Sequence, residues 1–229
     1  MKRLLAIATL PALLALGGCT SSGDGTLPAG PALVRRAAAS MREVQSGRFS
    51  LEVKGQIGGL EVRSAEGVMT RSGEATGTVD LEQGGQLVEF DVVYVRGAVY
   101  VRGPTGPFQT VSPVLAGNIY DPTELLDPSG GLAELLATAR KATTTGTESV
   151  DGTVAYRVRA TLEGRILGPL LPNPVPPSVS ATLWIGTGEP HLLRTETSFP
   201  GTGSSGSTSV TLAISDFNLS VHITPPPTS

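Results

Sequence analysis

Few side chains in these 229 residues can carry out chemistry. The chain has two histidines, His191 and His222, and a single cysteine, Cys19. Both histidines fall in strand-like stretches and are read as lying away from acidic residues, so with one cysteine they form no zinc-type ligand set. No G-x-S-x-G elbow is present to hold a nucleophilic serine. The run Gly201-Thr202-Gly203-Ser204-Ser205-Gly206 matches G-x-G-x-x-G in form. A dinucleotide loop must open a helix, however, and Ser207 to Ile214 reads as a strand, so the run is read as a hairpin connection. Asp121 and Asp127 flank a short helical patch. They could form a polar pair at a pocket mouth, but helix capping and dipole pairing are the preferred account. This inventory predicts no enzyme, no metal and no cofactor.

Cys19 has a context of its own. Lys2 and Arg3 precede a 13-residue apolar run, Leu4 to Leu16, which is short for a membrane span. Gly17-Gly18 then leads into Cys19 and a polar Thr/Ser/Gly segment. A basic start, a short apolar core and small residues before a cut make an export signal. With Cys directly after the small pair, the stretch is read as a bacterial lipobox in preference to an ordinary secretory signal with a chance cysteine. Residues 1–18 are then the signal peptide and Cys19 the lipidated first residue. Each buried CH₂ of an acyl chain adds about 0.8 kcal/mol, so two or three chains hold a protein firmly on a membrane. The expected location is the extracytoplasmic side of the cell membrane, with residues 19–30 as a flexible tether. Removing Lys2 and Arg3 shifts the formal charge from −3 to −5. No polybasic run exists, which argues against nucleic acid as a partner.

The elements that must position any site are mostly strands. Pro31 to Val44 has helical spacing, with Leu33, Ala37, Met41 and Val44 on one face. The period then changes to two. Phe49, Leu51, Val53 and Ile57 alternate with polar residues, as do Val88, Phe90, Val92 and Tyr94. Gly-rich turns at 58–59, 84–85 and 96–97 join residues 48–102 into an antiparallel meander. Residues 103–121 read as irregular. A single turn at 122–126 and a helix over 130–141 follow, the latter with Leu132, Leu135 and Leu136 on one face. Strands resume near Thr143. Val154, Tyr156, Val158, Ala160 and Leu162 alternate, then Val179, Ala181, Leu183 and Ile185, then His191 to Phe199, and finally a strand from Val210 towards Ile223. Residues 163–177 carry five prolines and read either as a lid or as a crossover packed on the sheet. Trp184 falls opposite Leu183 and Ile185, where it packs under a helix or faces a partner. The tail 225–229 is expected to be loose.

The count is about ten strands and three short helices in one α+β, mostly β, domain over residues 31–224. Each strand has one apolar face, and a sheet that large must curl. Three alanine-rich helices offer little volume to cover it. An apolar ligand inside a half-barrel satisfies the deficit. A tightly packed sandwich satisfies it equally well on pattern alone.

Three groups of residues resemble the LprG/LppX/LprA/LprF family of actinobacterial lipoproteins. The first is Gly47-Arg48-Phe49-Ser50-Leu51 with Gly55-Gln56-Ile57-Gly58-Gly59-Leu60. The second is Asn118-Ile119-Tyr120-Asp121 with Leu126-Asp127-Pro128-Ser129-Gly130-Gly131-Leu132. The third is Pro174-Val175-Pro176 with Ala181-Thr182-Leu183-Trp184-Ile185. The likeness implies a single curved antiparallel sheet, LolA/LolB-like, with helices over its concave face. It also implies an apolar cavity for acyl chains of triacylated glycolipid or triacylglycerol, lipid movement across the envelope, and a major-facilitator transporter as partner. Residues 163–177 are more proline-rich than the family pattern, and the loops 103–117 and 200–208 carry few of its residues. On this reading the sheet side of the cavity is lined by Leu51, Val53, Val88, Phe90, Val92, Val154, Val158, Leu183 and Ile185. Leu132, Leu135 and Leu136 line the helix side. The alternative is a solid-core envelope scaffold without lipid cargo.

Overall fold

Alternation of apolar and polar residues builds one large sheet. The computed structural model describes residues 26–55, 61–111, 122–164, 176–199 and 208–228. Its strands are β1 (Ser46–Lys54), β2 (Val62–Thr70), β3 (Ala75–Gln83), β4 (Gln86–Val95), β5 (Ala98–Arg102) and β6 (Gln109–Val111), then β7 (Arg140–Val150), β8 (Thr153–Glu163), β9 (Ser178–Gly186), β10 (Leu192–Phe199) and β11 (Thr208–Ser215). They form an antiparallel sheet in the order β6-β5-β4-β3-β2-β1-β11-β10-β9-β8-β7. The first and last strands meet at its centre. Strands β6 and β7 stay at opposite edges, so the half-barrel is open. Short turns keep neighbours in register. At Arg96-Gly97 both residues have positive φ (55° and 74°), the geometry of a two-residue hairpin turn.

Cross-strand register places one row of side chains on the inner face: Val158, Leu183, Thr195, Leu212, Leu51, Ala65, Val79 and Phe90. A parallel row runs Ile214, Phe49, Gly67, Gly77, Val92 and Val101. Over this face lie helix α1 (Gly30–Glu43), a 3-10 turn (Pro122–Leu126) and helix α2 (Gly131–Ala137). Leu33, Val34, Ala37, Ala38 and Met41 of α1 join Leu132, Leu135 and Leu136 of α2 in the main core. The two helices pack on each other. Helix α1 also touches β7 and β9, α2 touches β8, and the 3-10 turn touches β2. The helical layer therefore sits mainly over one half of the sheet.

The structure corrects several expectations. Helix α2 ends at Ala137, where Thr138 Oγ1 donates to Glu134 O, and β7 already begins at Arg140. The region 103–121 contains a further short strand, β6. Strand β11 stops at Ser215 instead of running to Ile223. Asp216 and Asn218 turn the chain through positive φ, and Asn218 Oδ1 accepts from Gln45 N at 2.8 Å. The chain beyond then covers the outer face. Ile223 is buried with Val93 and Val95, flanked by Val68, Tyr100, Phe108 and Val221. Thr228 bridges Phe108 in parallel, so the tail is held as far as Thr228 instead of being loose. Trp184 lies under no helix and is not exposed. It is 5% exposed in an outer-face cluster with Val150, Ala155 and Leu193, and its Nε1 donates to Glu148 Oε2 at 3.0 Å.

Candidate functional site

The inner face of β1–β4, away from the α1–α2 pair, holds an open apolar cleft with a free volume of about 20 Å³. Phe49, Ala65, Ala75, Gly77, Val79, Val92 and Tyr94 line it, with Glu66, Thr76 and Thr78 completing the wall. Its floor is made by small residues. Gly67 and Gly77 face each other across β2 and β3 so closely that a Cβ on either would collide with backbone: Thr76 O for Gly67, Glu66 O for Gly77. Glycine within a strand marks such a close backbone approach. With Ala65 and Ala75 alongside, two strands offer almost no side-chain volume, and the space opens between Phe49 and Val92.

Nine residues proposed as lining are buried together in the main core: Leu51, Val53, Val92, Leu132, Leu135, Leu136, Val158, Leu183 and Ile185. Phe90 is half-buried against them. Val88 is half-buried near the β3–β4 turn and outside that cluster. Val154 is misplaced by the sequence reading. It shares Val158's face by alternation but lies one residue into β8, beyond the helical layer, and is 53% exposed. Of the twelve, Val92 alone borders the cleft itself. The sequence reading did not name Ala65, Ala75 and Gly77. Their signal was the run of small residues inside strand patterns. Cys19, Asp121, residues 165–175 and the 201–206 loop lie outside the described residues. Asp127 accepts from Ser129 N at 2.8 Å in the turn ahead of α2, and the helix starts from Gly130 with no side-chain cap, so the expected capping role is not seen.

The interior carries few polar groups. Thr195, Thr197 and Thr208 face inward on β10 and β11 and are buried. Thr197 Oγ1 donates to Val210 O at 3.3 Å. Thr195 Oγ1 is buried without a hydrogen-bond partner, a condition that costs about 1–3 kcal/mol. His191 lies at a sheet end, stacked on Phe217 with centroids 4.3 Å apart, and its Nδ1 is 3.6 Å from Glu189 Oε2. It therefore does stand beside an acid. Burial pulls its pKa below the ordinary value, and the Glu189 charge opposes that shift. Among the described residues no group of His, Cys, Asp and Glu is placed to hold a metal ion, and no helix is long and apolar enough to cross a membrane.

Residues 29–223 match the LppX_LprAFG lipoprotein family. The chain belongs to this family. It is 34% identical to the lipoarabinomannan carrier protein LprG of Mycolicibacterium smegmatis, over 96% of this chain and 93% of that one. Against LprG of Mycobacterium tuberculosis H37Rv the identity is 30%, over 100% and 97% of the two chains. The crystal structure of LprF from Mycobacterium bovis superposes with a TM-score of 0.73 at 19% identity, covering 86% of this chain and 96% of that one. The structure of the M. tuberculosis lipoprotein LppX gives 0.61 at 21%, covering 85% and 97%. The LppX_LprAFG fold is thus the open antiparallel sheet with helices on one face.

Proposed function

We propose that this LppX_LprAFG lipoprotein binds the acyl chains of an acylated lipid in the inner-face cleft and carries that lipid across the cell envelope. The observation that carries the reading is the apolar, glycine-floored cleft between Phe49 and Val92. A site with apolar walls and few polar groups suits a ligand recognised by burial. The full-length likeness to proteins named lipoarabinomannan carriers supports an acylated glycolipid as cargo. Lipidated Cys19 anchors the chain to the extracytoplasmic side of the cell membrane, and residues 20–27 lift the domain off it, the domain beginning where Pro28 O accepts from Thr144 Oγ1 and Gly30 opens α1. A major-facilitator transporter is the proposed partner in transfer.

The solid-core scaffold has one observation in its favour. The cleft has a free volume of only about 20 Å³, far below the roughly 300 to 1,000 Å³ of ligand sites. Native mass spectrometry separates the two readings. The protein purified from a host that makes acyl lipids should carry mass that dissociates as diacyl or triacyl lipid. Val92→Trp fills the cleft and should remove most of that mass while the far-ultraviolet circular dichroism stays unchanged. A lipid-free wild type that also fails to take up added acylated glycolipid sinks the carrier reading.

A further inference from the structure

We propose that the Thr195 hydroxyl is a polar anchor inside the lipid site, donating a hydrogen bond to the ester carbonyl of a bound acylated lipid. The proposal rests on the lipid-binding reading above and adds which chemical group of the lipid is recognised, and where.

Thr195 is 6% exposed, and its Oγ1 has no hydrogen-bond partner. Its neighbours across both flanking strands are leucines, Leu183 on β9 and Leu212 on β11, and both belong to the main core. The side chain therefore points into the packed interior between sheet and helices, on the same face as the cleft. The two other inward threonines nearby are already engaged. Thr197 donates to Val210 O, and Thr208 has an interaction partner of its own. Packing gives no reason for the hydroxyl. Valine has the same shape, is at least as good a strand former, and leaves nothing unpaired. A buried water is a poor partner too. It needs two to four polar contacts, and the cross-strand side chains on both sides are apolar.

The missing partner should be an acceptor carried on an otherwise apolar ligand. An ester carbonyl fits: it accepts, it donates nothing, and acyl chains continue from it. Thr195 shares its cross-strand row with Leu212, Leu51 and Ala65. Three strand spacings, about 14 Å, separate it from Ala65 at the cleft floor. An acyl chain whose ester sits at Thr195 runs along that row into the space above Ala65 and Gly77.

The test compares a dipalmitoyl ester phospholipid with its dihexadecyl ether analogue, which has equal chains and no carbonyls. Binding is measured to the full chain in detergent. Wild type should bind the diester three- to tenfold more tightly than the diether, the range of one hydrogen bond. Thr195→Val should erase that preference by weakening the diester alone. Thr195→Ser should restore it, and the lipid-free melting temperature of Thr195→Val should not fall. Equal affinity of wild type for both lipids overturns the anchor and leaves the cleft standing. An equal loss of both lipids in Thr195→Val, or no loss of the diester, also overturns it. Wild type that binds neither lipid overturns the lipid site itself and the anchor with it.

Discussion

A Cβ at Gly77 has nowhere to go. It would run into the Glu66 carbonyl oxygen and crowd the Gly67 Cα across the strand pair. Gly77→Ala must therefore push β2 and β3 apart, and strain of this kind costs about 1–3 kcal/mol. The urea midpoint should fall accordingly, and lipid uptake should fall with it because the same two strands floor the cleft. A variant of unchanged midpoint would mean that the strands separate freely and that the glycine pair does not define the floor. Individual residues were also where the sequence was hardest to read. Alternation assigns a face but not a depth. Leu51 and Val154 are indistinguishable by pattern, yet one is buried mid-strand and the other stands exposed at a hairpin end. Gly77 carries no side chain to signal a lining role, and its pairing with Gly67 across the sheet sets it at the cleft floor.

At the scale of elements, the sheet separates its two faces into independent clusters. Strands were legible because period-two alternation persists through nearly every one, and turn glycines mark most of their ends. What failed to show were pieces whose order comes from a distant partner: β6, held by three residues of pairing with β5, and the C-terminal run, held by packing of Ile223 on the outer face. Trp184 belongs to that second class. Its alternation told its face, but its neighbours Val150 and Leu193 come from other strands. Trp184→Phe removes the hydrogen bond to Glu148 while keeping an aromatic ring. It should cost about 1 kcal/mol of stability and leave lipid uptake untouched, since the outer cluster shares no residue with the cleft. Denaturation and uptake measured on the same preparation decide this, and a parallel loss of both would mean that the two faces are coupled.

At the scale of the whole molecule, the open sheet and its uneven helical cover set how much the interior can hold. Helices α1 and α2 meet β7, β8 and β9, leaving the cleft over β1–β4. A free volume of about 20 Å³ is far too small for a ligand with several acyl chains, so the interior must open to take them. The sheet is continuous through ten hydrogen-bonded strand pairs, whereas the helical layer rests on side-chain packing, so the helices are the part that can yield. Further chains must enter between α1–α2 and the row Val158–Leu183–Leu212. A single alkyl chain without an ester, laid in the open cleft alone, should bind with no change in amide exchange of Leu33–Met41 and Leu132–Leu136. A triacylated ligand should speed exchange there, because packing that protects those amides is lost, while protection in β1, β9 and β11 is retained. Hydrogen exchange followed by mass spectrometry reads both cases. Triacyl binding with unaltered helix exchange would place the extra chains outside the helix–sheet interface, and the helical layer would then be a fixed wall of the site.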